Sequence, residues 1–106
     1  MDIAISNNNV PIRLTDERWM HISTGHPEIA DYYYEILETI EIPEKIFEGE
    51  SGEMIATGIK LENTETFLVV IYREDSDRSD GFIITAYLSK KLSGLEKRRL
   101  IWEQQK

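Results

Sequence analysis

The 106 residues contain no cysteine, so disulfides, thiolate nucleophiles and cysteine-based zinc sites are excluded. Histidine is nearly as scarce, with only His21 and His26. A metal site of three imidazoles is therefore excluded too. The two histidines stand five residues apart across a helix break, not at the i, i+4 spacing of a helical zinc pair. Long apolar runs are missing as well, and no stretch approaches the roughly 18 residues of a membrane span. The opening Met1–Asn9 has neither a basic n-region nor a long apolar core. A soluble cytoplasmic protein with no membrane contact, metal or cofactor is expected. No phosphate-binding glycine loop, GxSxG elbow or EF-hand pattern occurs. The stretch from Glu74 to Asp80 is acidic but lacks the glycine and glutamate spacing of a calcium loop.

Charge is abundant and uneven. The net charge is −8, which argues against a general nucleic-acid coat. Residues 89–106, however, carry six basic residues against two acids, whereas residues 1–88 carry six against eighteen. Such a basic tail meets a phosphate backbone, folds over the acidic body, or is simply solvated.

One domain over residues 1–106 is expected from the length, with residues 1–11 an irregular lead-in. Thr15 is a good N-cap, and Asp16 and Glu17 suit the first turn of a short helix that Gly25 ends. Pro27 opens a second helix running to about Glu41. Its apolar residues Ile29, Tyr33, Ile36, Leu37 and Ile40 form one stripe. Strands are expected at Lys45–Glu48 (an edge), Met54–Leu61, Phe67–Tyr72 and Gly81–Leu88, with a turn at Asn63-Thr64. The continuous run Phe67–Tyr72 reads as central and covered on both faces. Leu95–Trp102 forms a closing helix or extended tail. The expected class is α+β: two N-terminal helices on a roughly four-stranded antiparallel sheet.

His26 stands between Gly25 and Pro27, at the hinge between the two expected helices. That position favours exposure, and a helix N-terminus favours a neutral, proton-accepting ring. A histidine there can equally cap a helix or satisfy a loop carbonyl. His21, near Trp19 and Ile22, is expected to be half-buried packing. Glu28, in the first turn, suits the helix dipole and is a poor catalytic candidate. Strand alternation puts Phe82, Ile84, Ala86 and Leu88 under the helices and Ile83, Thr85 and Tyr87 on the opposite face. Hydroxyls of Thr85 and Tyr87 could reach a ligand there, although both residues are also ordinary strand formers.

The ordered segments IRLTDERWMHISTGHPEI, FLVVIYRE, DGFIITAY and RRLIW span residues 12–102. In this order they resemble small prokaryotic and phage proteins of the barnase–EndoU–colicin–RelE superfamily of metal-independent ribonucleases. The resemblance implies N-terminal helices on a four-stranded antiparallel sheet. It also implies RNA cleavage by the 2′-hydroxyl, leaving a 2′,3′-cyclic phosphate. Carried onto this chain, His26 would be the general base or acid, and Thr85 and Tyr87 would bind or orient the scissile phosphate. Family members often carry a cation on the first sheet strand, where this chain reads Ile55-Ala-Thr-Gly-Ile59. Lys60 and Arg73, at strand ends, or Lys90 and Lys91, after the hydroxyl strand, are the substitutes for phosphate binding.

Two further readings compete. One is an inactive nuclease-fold module that holds RNA, a cognate antitoxin or another protein, with a homo-oligomer left open. The other is a small-molecule site using Tyr87 and the cluster Tyr32-Tyr33-Tyr34, although helical spacing points those three side chains apart.

Overall fold

The computed structural model describes residues 1–61 and 65–105, apart from the side chains of residues 59 and 60. The expected turn at Asn63-Thr64 and the Lys60 side chain therefore lie outside the described residues. Ten elements follow in order: β1 (Asp2–Ile5), β2 (Pro11–Leu14), α1 (Asp16–Gly25), a 3-10 helix (Pro27–Tyr32), α2 (Tyr33–Glu41), β3 (Lys45–Glu48), β4 (Met54–Lys60), β5 (Phe67–Asp75), β6 (Asp80–Ser89) and β7 (Leu100–Glu103).

The four-stranded antiparallel sheet expected from the apolar pattern is too small. Among the described residues seven strands form one mixed sheet, in the order β1-β2-β6-β5-β4-β3-β7. Neighbours are antiparallel except β2 and β6, whose parallel contact covers only Ile12↔Gly81 and Arg13↔Phe82. The lead-in expected to be irregular supplies β1, paired with β2 as a hairpin. The expected closing helix or tail supplies β7, which pairs with β3 and so makes β3 an inner strand. Gly81 sits where β2, β5 and β6 crowd together. A Cβ there would lie 2.5 Å from both the Arg73 carbonyl oxygen and Ile12 Cδ1, so a side chain would force the strands apart.

α1 begins as expected, with the Thr15 hydroxyl accepting a hydrogen bond from Arg18 N at 3.1 Å. The second expected helix divides, a 3-10 stretch preceding α2. The apolar stripe still faces inward: Ile29, Ile36 and Ile40 are fully buried, and Tyr33 and Leu37 pack beside them. Under the helices lie Ile12, Leu14, Leu68, Val70, Tyr72, Ile83 and Ala86. β5 is central and buried on both faces, because Val69 points to a second, smaller cluster with Phe47 and Ile55 on the opposite face. Leu92 and Leu95 close over that cluster as residues 90–99 carry the chain from β6 towards β7. Among the described residues no helix is long and apolar enough to cross a membrane.

The alternation along β6 breaks once. Ile71 pairs with Thr85 but Tyr72 pairs with Ile83, leaving Ile84 as the extra residue of a bulge. Ile83, not Ile84, therefore enters the core, and Phe82 turns to the face away from the helices, where it is exposed.

Tyr33 fastens α2 to the sheet edge, its hydroxyl donating to Asp2 Oδ2 at 2.6 Å. Burial first, and then the Asp2 carboxylate, push its pKa from 10.0 up to about 12. Burial and the nearby Glu74 raise that of Tyr72 as well. Both groups keep their protons more tightly folded than unfolded. Their stabilisation is complete below about pH 10 and is lost as pH rises through the folded values. The melting temperature is expected to fall from pH 10 to 12, and to fall less in Tyr33→Phe. Identical alkaline curves for the two proteins in thermal melts would show that the Tyr33–Asp2 bond carries no pH dependence.

Candidate functional site

His26 is pinned through its backbone. Its N–H donates to Ile22 O at 2.8 Å, closing α1, and its carbonyl accepts from Ile29 N at 2.9 Å, opening the 3-10 turn. Gly25 and Pro27 flank this change of direction, so the sequence fixes where the ring leaves the chain. The side chain is 43% exposed. Its ring centroid lies 6.2 Å from that of Tyr87, with the planes tilted by 36°.

The route to Tyr87 follows from the sheet. β2 pairs with β6 only at Gly81 and Phe82, so the later half of β6 has no strand on that side among the described residues. α1 and the 3-10 helix both contact β6. His26 thus meets Tyr87 from the sheet edge. Tyr87 pairs with Val69, and Thr85 pairs with Ile71, so both residues stand on the face away from the helices. Both are partly buried.

The 3-10 stretch brings Glu28, a poor catalytic candidate by sequence, beside the His26 ring. Glu28 Oε1 lies 3.4 Å from His26 Nδ1. A carboxylate two residues after histidine reads as helix-dipole ballast in sequence, and only the tight turn after Pro27 shows it folded back. His21 departs from expectation in the other direction, being exposed instead of half-buried. It lines an open cleft of about 740 Å³ beside Arg18, Met20 and Thr24.

The cations separate into two groups. Arg73 shares the open face with Thr85 but lies 3.5 Å from Glu53 Oε2 and donates to Ser51 O at 3.1 Å. Arg13, beside Phe82 in the sheet, donates through two nitrogens to Asp80, both at 3.1 Å. Arg98 and Arg99 approach Glu50 and Glu48, each at 3.8 Å, so this part of the basic tail folds over the acidic body. Lys90 and Lys91 are exposed and enter no ion pair among the described residues. The turn that carries them is held by the Ser89 hydroxyl, which donates to Lys91 O at 2.6 Å. The Lys60 side chain is outside the described residues.

The tyrosine cluster does not assemble a pocket. Tyr33 packs edge-on against Trp19 and Tyr34 at 4.9 and 5.3 Å, while Tyr34 points to solvent. A cleft of about 570 Å³ is lined by Lys45, Thr57, Phe67 and Leu92, and Tyr87 is not among the residues that line it. The His26–Tyr87 pair lies at the sheet edge, with His26 43% exposed and Tyr87 partly buried. Among the described residues no three His, Asp or Glu side chains gather as a metal site. No protein-family model, curated protein or solved structure matches this chain.

Proposed function

We propose that this chain is a metal-independent endoribonuclease, acting on RNA in the cytoplasm, as its resemblance to the barnase–EndoU–colicin–RelE superfamily implies. The observation that carries the reading is the meeting of His26 with Tyr87, 61 positions apart in sequence, at an exposed sheet edge. In this scheme His26 takes the proton of the RNA 2′-hydroxyl as that oxygen attacks phosphorus. The P–O5′ bond breaks, and the 5′-oxygen takes a proton from solvent. A 2′,3′-cyclic phosphate and a 5′-hydroxyl result. Tyr87 and Thr85 supply hydroxyl donors to the non-bridging oxygens, and Lys90 and Lys91 offset the charge that builds there.

Purified protein is expected to cleave an RNA pool in EDTA and to leave cyclic phosphate ends. A second reading, an inactive module for RNA or a protein partner such as an antitoxin, is favoured by the pairing of Arg13 and Arg73 with carboxylates. Under it no RNA is turned over, and pull-down recovers a stoichiometric partner. Intact RNA across a broad pool, with the protein folded, would overturn the enzyme reading.

A further inference from the structure

We infer that Glu28 is a positioning residue that fixes the tautomer of His26, holding the proton on Nδ1 and leaving Nε2 as the nitrogen that exchanges protons. The inference takes its chemistry from the ribonuclease reading, but the tautomer rests on geometry alone.

A neutral imidazole carries one N–H, and which nitrogen holds it depends on the partner of the other. Here the backbone bonds to Ile22 and Ile29 fix the point from which the side chain leaves the chain. Glu28 Oε1 stands 3.4 Å from Nδ1. At 3.4 Å the contact is an ion-pair distance and not a hydrogen bond, and the ionised carboxylate, which only accepts, favours by its charge the ring form with hydrogen on Nδ1. The lone pair is then on Nε2, on the opposite side of the ring. When Nε2 takes the substrate proton, the new imidazolium already faces a negative charge. The carboxylate itself need not take the proton, which is the division of labour of a histidine–acid pair.

Both side chains are about half exposed, so the pair contributes little to stability. That separates a positioning role from a structural one. The expected loss on removal is about tenfold in kcat, well short of the roughly 10⁴-fold of a buried triad acid.

The test is 15N NMR of histidine-labelled protein above the imidazole titration, with His21→Gln to assign the two rings. Wild-type His26 is expected to be mainly Nδ1–H. Glu28→Ala should move it towards Nε2–H and lower kcat about tenfold with KM little changed. Glu28→Gln offers a carbonyl oxygen in the same place, so it should keep the tautomer while losing the charge. Melting temperatures of both variants should match wild type. A wild-type ring mainly in the Nε2–H form, or one unchanged in Glu28→Ala, overturns the inference. A tautomer that shifts in a protein that never cleaves RNA leaves the positioning intact and removes the ribonuclease reading instead.

Discussion

His26→Ala is expected to lower RNA cleavage by about 10²–10⁴-fold, the range that a positioned general base supplies. Stability should move by no more than about 0.5 kcal/mol, because the side chain is partly exposed and makes no capping hydrogen bond. The two halves of that expectation come from different features of the residue. The hydrogen bonds that join α1 to the 3-10 turn are made by the His26 backbone and survive truncation. The side chain is 43% exposed and contributes its contacts with Glu28 and Tyr87. Single-turnover cleavage and a thermal melt, run on the same preparation, check both. Undiminished cleavage would remove His26 from the chemistry. A large fall in melting temperature would instead assign the ring to holding the helix junction.

The sequence pattern placed His26 at a helix junction because the signals for that junction are local. Gly25 and Pro27 are its immediate neighbours, and Thr15 marks the start of the helix before it. The stripe from Ile29 to Ile40 and the apolar run of β5 were legible for the same reason. Each contains enough consecutive residues for its period to be counted. β1 and β7 are four residues long, and β1 offers only Ala4 as a buried position. Such segments become strands through partners far away in sequence, and local periodicity does not report those partners. The parallel contact between β2 and β6 is of the same kind, joining residues about 69 positions apart.

The site was legible in its parts but not in its assembly. Histidine at a hinge and hydroxyls on a strand are each common, and nothing local says that they meet. The rings of His26 and Tyr87 come within 6.2 Å of each other because β2 leaves β6 after Phe82 and the helix junction lies along the edge so freed. Glu28, a poor catalytic candidate by sequence, lies 3.4 Å from His26 Nδ1 in a 3-10 stretch that the apolar pattern read as regular α-helix. The basic tail was ambiguous between a phosphate backbone and the acidic body. Its two arginines in fact lie near Glu48 and Glu50, whereas Lys90 and Lys91 stay unpaired among the described residues.

The bulge in β6 gives the largest expected effect on stability. Ile83→Ala should cost roughly 2–5 kcal/mol, and Ile84→Ala much less. Strict alternation demands the reverse, since it places Ile84 with Ala86 and Leu88 under the helices. In the structure Ile83 is 1% exposed within the main core, and Ile84 is the residue the β5–β6 register skips. Truncating Ile83 leaves a cavity among close-packed neighbours, whereas Ile84 is only partly covered. The position of the bulge also bears on the site. It falls just after β6 parts from β2, and bulges re-aim side chains beside functional edges. By absorbing one residue it turns Phe82 outward beside Arg13 and Arg73, while Thr85 and Tyr87 stay on the face away from the helices and Tyr87 reaches the His26 ring. Urea denaturation of the two variants decides the matter. A mild Ile83→Ala and a severe Ile84→Ala would mean an unbroken strand, with Phe82 returned to the helix side.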